Sequence, residues 1–193
     1  QLANSLQTLY NDRAQYDQSI LYGEKAILPA KEMNDQSFLC LILINLSISY
    51  REKKMLPKAE ELAKEALRIA EELKDKRAES AALLAIASIW EKQGVEYKKI
   101  MPYAARSLLL SRESGSADME LAGLGAVAIC YLQQGEFIKS ETLAREALLL
   151  SQELKIKEKE SEIFMILSRI AYASGKLEEG ARFQLQSESL RSD

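Results

Sequence analysis

A period of about 40 residues runs the length of this chain and constrains its fold more than any single motif does. Tyr16, Leu56, Tyr97, Phe137 and Leu177 stand 40, 41, 40 and 40 residues apart. Three further columns keep that interval: Ala3, Leu43, Leu83, Leu124 and Phe164; Leu6, Leu46, Ile86, Val127 and Leu167; and Tyr10, Tyr50, Trp90 and Tyr131, closed by Ala171. Successive columns lie three and then four residues apart, the spacing of one helical face. The repeat divides the 193 residues into five units, at approximately 1–35, 36–75, 76–116, 117–157 and 158–193. No separate domain boundary interrupts them.

Each unit reads as two helices joined by a short turn, at Glu52-Lys53-Lys54, Gln133-Gln134-Gly135-Glu136 and Ser174-Gly175-Lys176. Between units the chain turns at Asn34-Asp35, Lys74-Asp75, Ser114-Gly115-Ser116 and Lys155-Ile156-Lys157. Along the second helix runs a stripe of small residues: Ala59, Ala63, Ala66 and Ala70 in unit two, Ser140, Ala144, Ala147 and Ser151 in unit four. Small side chains let a neighbouring helix approach closely. Leu62, Leu67 and Leu73, with Leu143, Leu148 and Leu154, are expected to fill the gaps beside them. Glu60, Lys64 and Arg68 mark the opposite, solvated face, with Glu60 four residues ahead of Lys64 in the favoured order. Pro57 suits a first helical position, Pro102 marks a helix start or a kink, and Pro29 bends the end of a second helix. In unit five Gly180, Gln184, Ser187 and Arg191 fall on the stripe, a more polar version of it.

These residues carry a resemblance. The order Leu46, Tyr50, Leu56, Ala59, Ala63, Ala66-Leu67 resembles the tetratricopeptide repeat (TPR), as does Val127-Ala128, Tyr131, Gly135, Phe137, Ala144, Ala147-Leu148. The units are longer than that family's, and resemble those of bacterial sensors and regulators and of kinesin light chains. The resemblance implies an all-α fold, a right-handed α-α superhelix (a TPR-like solenoid) of about five helix-turn-helix units, with the first helices lining a concave wall. A single helix pair cannot bury its own apolar face, so the units must stack.

By that family's arrangement the wall is lined in unit one by Asn4, Thr8, Asn11 and Asp12. In unit two it is lined by Ile44, Ile48, Arg51 and Glu52, and in unit three by Leu84, Ser88, Glu91 and Lys92. Units four and five contribute Gly125, Ile129, Leu132 and Gln133, then Met165, Arg169 and Tyr172. The candidate partner-binding residues are Ile44, Ile48, Arg51, Leu84, Ser88, Glu91, Ile129, Leu132 and Gln133. Ile44, Ile48 and Glu52 stand where TPR domains that grip a chaperone's C-terminal carboxylates carry Lys and Asn, so that specificity is not expected. The apolar band along the wall has three readings: burial by superhelical curvature, cover by a partner helix or second copy, and a small-molecule pocket.

Composition narrows the function. The chain has no His, which removes the commonest general base and the usual zinc and haem ligands. Glu60-Glu61, Glu71-Glu72 and the Glu158/Glu160 pair lie among lysines on expected helix surfaces, not in the sheltered site that general acid–base work needs. Gly123-Leu124-Gly125 lies within a helix without a P-loop lysine and is read as a point of close helix contact. Cys40 and Cys130 are expected to be inert core thiols. A net charge of −3 argues against a nucleic-acid surface. The densest apolar stretch, Phe38 to Ile48, falls short of the roughly 20 residues a membrane span needs. Beginning at Gln1, without Met, basic n-region or cleavage signal, the sequence is expected to be an excised fragment of a longer chain. Cytoplasm and periplasm both remain open as its compartment.

The expectation is therefore a non-enzymatic protein-interaction or sensory scaffold module of a larger bacterial regulator, without cofactor or metal. Its partner is a protein or peptide, with no nucleic-acid or membrane contact by this segment. The alternatives are a self-association module forming a homo-oligomer and a receptor for a small peptide signal.

Overall fold

In the computed structural model the backbone is described for residues 2–192 and the side chains for residues 5–11 and 13–191. Ala3, Asn4 and Asp12 of the expected core column and wall therefore lie outside the described side chains. Ten α-helices follow one another: α1 Leu2–Asp12, α2 Tyr16–Glu32, α3 Gln36–Glu52, α4 Leu56–Leu73, α5 Lys76–Gln93, α6 Tyr97–Ser114, α7 Ala117–Gln133, α8 Phe137–Glu153, α9 Lys157–Ala173 and α10 Leu177–Ser192. No strand occurs among the described residues. No helix there is long and apolar enough to cross a membrane.

The helices end alike. A left-handed residue follows each of the first nine, at Ala14, Asn34, Lys54, Lys74, Gly94, Gly115, Gly135, Lys155 and Gly175, spaced 20 or 21 residues apart. The amide of the next residue then reaches back five residues to a carbonyl of the last turn, as from Asp75 to Ala70 and from Glu136 to Tyr131, both at 3.0 Å. This is the Schellman closure, which satisfies carbonyls the helix end leaves open. The turn thus repeats at half the period of the side-chain columns. Asp35 and Asp75 add side-chain caps, accepting from the amides of Phe38 and of Arg77 and Ala78. Pro57 stands in the first turn of α4. Pro102 does not start a helix: α6 begins five residues earlier, at Tyr97, because the turn at Gly94 has already reversed the chain.

The chain forms two units, Gln1–Glu96 and Tyr97–Asp193, and their boundary falls within the stretch read as the third repeat. In the first unit α3 is central, packing against α1, α2, α4 and α5. That is why its sequence is apolar nearly all round: Leu39, Cys40, Ile42, Leu43, Ile44 and Leu46 are all buried. In the second unit α7 plays this part against α6, α8 and α9, and α9 also packs on α10.

The small-residue stripes carry these contacts. Ala59, Ala63, Ala66, Ala70, Ser140, Ala144, Ala147 and Ser151 are each 0% exposed. Ser140 Oγ donates to the Ala128 carbonyl across the α7–α8 hairpin at 2.7 Å. Forty residues on, the donor has changed helix, and Ser168 Oγ donates to the Gly180 carbonyl at 2.9 Å. In both cases a hydroxyl meets a backbone acceptor that close packing has cut off from water. Gly123 lets α7 approach α6 so closely that a Cβ there would lie 3.1 Å from Leu108 Cα.

Three expectations about packing change. Leu73 and Leu154 remain at the surface, 41% and 38% exposed, because the left-handed turns beside them carry the chain away from the neighbouring helix. In α10 the stripe position is taken by Phe183, buried and stacked on Phe164 at 6.1 Å, while Gln184 points outward to Glu188. Glu60 is not simply a solvated residue. One of its carboxylate oxygens accepts from Trp90 Nε1 at 3.0 Å and the other from Gln93 Nε2 at 2.9 Å, tying α4 to α5. Burial alone would raise its pKa, but these donors and Lys64 outweigh it and bring the group down to about 2.

Candidate partner-binding faces

The first helices of successive pairs lie side by side, α1 on α3 and α3 on α5 in the first unit, α7 on α9 in the second. Each unit therefore offers a face built from alternate helices. In the first unit a polar lattice sets their spacing. Asn11 Nδ2 donates to the Asn45 carbonyl, Asn45 Nδ2 donates to Thr8 Oγ1, and Ser49 Oγ donates to Asn11 Oδ1 at 2.9 Å. One step along, Arg51 Nη1 donates to Ser88 Oγ at 2.6 Å, and Arg51 Nη2 pairs with Glu52 at 2.7 Å. Lys92 on α5 closes the group at 3.5 Å from the same carboxylate. Burial pushes the Glu52 pKa upward, yet Arg51 and Lys92 outweigh it and hold the group below its usual value.

Six of the candidate residues belong to this first face. Arg51 and Ser88 are brought together directly. Ile48 and Leu84 are half-buried and keep surface available, and Glu91 is exposed. Ile44, at 6% exposure, is turned into the core of its own unit. The other three belong to the second unit. There Ile129 is half-buried, Gln133 is exposed, and Leu132 is buried at 8% exposure. Gly125 faces α9, where a Cβ would meet Ile163 and Ile166 at 3.6 and 3.7 Å. Tyr172 leans over Gly180 of α10, leaving Met165 and Arg169 as the α9 side chains beside this face.

The apolar band is thus divided. Ile44 and Leu132 are covered by their own units, while Ile48, Leu84 and Ile129 keep part of their surface. The roles of Asn45 and Ser49 were missed in the sequence, although a polar pair four residues apart inside an otherwise apolar helix was the available signal. The Glu60–Trp90 link had none, since it joins positions 30 residues apart through a contact that only packing creates.

No family model matches this sequence, and no curated protein matches it. Solved structures do. BtubC (BKLC) from P. vanneervenii matches with a TM-score of 0.77 at 16% identity, over 98% of this chain and 78% of that one. A Rap protein complexed with Competence and Sporulation Factor matches with a TM-score of 0.83 at 16% identity, over 97% of this chain and 53% of that one. A signal transduction ATPase with numerous domains (STAND) from Pyrococcus horikoshii, carrying a tetratricopeptide repeat sensor, matches with a TM-score of 0.76 at 23% identity, over 98% of this chain and 30% of that one. Identities this low speak for architecture, and the architecture agrees with the ten-helix order, the buried small-residue stripes and the side-by-side first helices. The fold of this chain is all-α and of the TPR-like solenoid type.

Proposed function

We propose that the chain is a protein-interaction or sensory scaffold module of a larger bacterial regulator, and that its first-helix faces take up a peptide or protein segment. The observation that carries this reading is the half-buried aliphatic surface of Ile48 and Leu84 beside a hydrogen-bonded polar frame. Such a frame is ordered before a ligand arrives, so binding loses little side-chain entropy. Partly exposed aliphatic side chains between fixed polar groups suit a segment that alternates the two. The likeness in fold to a Rap protein complexed with Competence and Sporulation Factor, and to a STAND protein's repeat sensor, supports a sensory role.

The test is selection of binders from a displayed peptide library against the chain, followed by affinity measurement with Ile48→Asp, Ile129→Asp and a control, Leu149→Asp on α8, where Leu149 is 63% exposed. Loss of binding in one of the first two, with binding kept in the control, is the expected outcome. Binders indifferent to both wall substitutions, in variants that remain helical, would rule these faces out. Light scattering of the chain alone separates this reading from self-association.

A further inference from the structure

In the first unit the wall neutralises its own charge. Arg51 finds Glu52 on its own helix and Ser88 on the next, and Lys92 approaches the same carboxylate. The equivalent positions 81 residues further along are Leu132, Gln133, Arg169 and Ala173. The cation has moved from the first helix of the pair to the second, and the glutamate has become an uncharged glutamine. One turn either side of Arg169 on α9 stand Met165, Ile166, Tyr172 and Ala173, none of them a carboxylate. Arg169 is exposed and has no ion-pair partner among the described residues. Met165, one turn before it on α9, and Ile129, on the neighbouring α7, are half-buried.

From this internal comparison we infer that the α7–α9 face takes a peptide segment bearing an Asp or Glu side chain next to an aliphatic residue, the carboxylate meeting Arg169 as Glu52 meets Arg51, the aliphatic group covering Ile129 and Met165. The inference rests on the reading of the first-helix faces as docking surfaces and adds the chemistry of the occupant. A side-chain carboxylate is specified because the group that fills this role in the first unit is itself a glutamate side chain. A guanidinium at the edge of apolar surface recognises a planar carboxylate through paired hydrogen bonds, which a lysine would not reproduce.

The experiment uses peptides selected from the displayed library, resynthesised with amidated C-termini and measured by fluorescence anisotropy against the intact chain. Expected are enrichment of Asp or Glu beside Leu, Ile or Val, and affinity that falls as salt rises. Arg169→Gln should weaken binding about two- to fivefold, the upper part of the range for an ion pair open to solvent. Gln133→Glu, which supplies the missing carboxylate from within, should weaken it similarly without loss of helicity. Binders that lack acidic residues, or that ignore both substitutions while losing affinity with Ile129→Asp, overturn the acidic-segment inference and leave the docking face standing. Binding abolished by C-terminal amidation overturns it in favour of a terminal carboxylate. Failure to select any binder, or binders indifferent to Ile129→Asp as well, overturns both.

Discussion

Two helical glycines should respond to the same substitution with opposite signs. At Gly23 on α2 an added Cβ would fall against Gln7 Nε2 and lie 2.7 and 2.8 Å from Leu46 Cδ2 and Cγ, well inside contact distance. Neither neighbour has room to retreat. Gln7 is 0% exposed and its amide donates to the Ile42 carbonyl at 3.1 Å, and Leu46 is 1% exposed. Overpacking of this kind costs about 1–3 kcal/mol. Displacing the Gln7 amide would leave a buried donor unpaired at a further ~1–3 kcal/mol, against a helix-propensity gain of about 1 kcal/mol. Gly23→Ala should therefore destabilise by roughly 1–5 kcal/mol. At Gly125 the new methyl meets Ile163 and Ile166 at ordinary contact distances of 3.6 and 3.7 Å, so the propensity gain stands nearly alone. Gly125→Ala should stabilise by about 1 kcal/mol, or roughly 2–4 °C in Tm. Urea and thermal unfolding followed by circular dichroism measure both. A Gly23→Ala protein as stable as the parent, or a destabilised Gly125→Ala, would show that helix spacing at these crossings is not set as described.

Other consequences follow from single groups. Lys74 holds a left-handed backbone at φ 57°, so Lys74→Gly should gain up to about 1 kcal/mol in the same unfolding assays. Trp90 is the only tryptophan and reports on Glu60 through its indole N–H. With the Glu60 pKa depressed to about 2, its contribution is complete above the ordinary glutamate range near 4.5 and is lost as pH falls towards 2. Trp90 emission should therefore hold through pH ~4 and change below it, and Glu60→Gln should remove that step; a midpoint at the ordinary value would refute the assignment. The Cys40 thiol donates to the Ala66 carbonyl at 3.3 Å, and its pKa is pushed up to about 11 by burial and by Asp75. It should resist alkylation at pH 8 in the folded chain and react once urea is added; rapid labelling without denaturant would contradict the packing of α3 on α4.

The fold was legible because repetition wrote it several times. A column of small residues at intervals of four and three predicts close helix contact wherever it recurs, and the Ala59–Ala70 and Ser140–Ser151 stripes are wholly buried. The turns were partly legible: Gly115, Gly135 and Gly175 announce them, but Lys54, Lys74 and Lys155 adopt the same left-handed geometry without the residue that favours it. The docking faces were less so. Ile44 and Ile48 are both apolar and one turn apart, and nothing in their identity says that one is covered and the other half-open.

What the amino-acid order determined by itself is local and periodic: the succession of helix pairs, the places where the chain turns, and the small-residue stripes of α4 and α8, since these depend on spacing along one helix. Tertiary structure alone decided which polar groups meet across helices. Arg51 reaches Ser88, Glu60 reaches Trp90, and Arg169 finds no carboxylate among the described residues, because such pairings depend on helix separation and rotation, to which contacts from every side contribute.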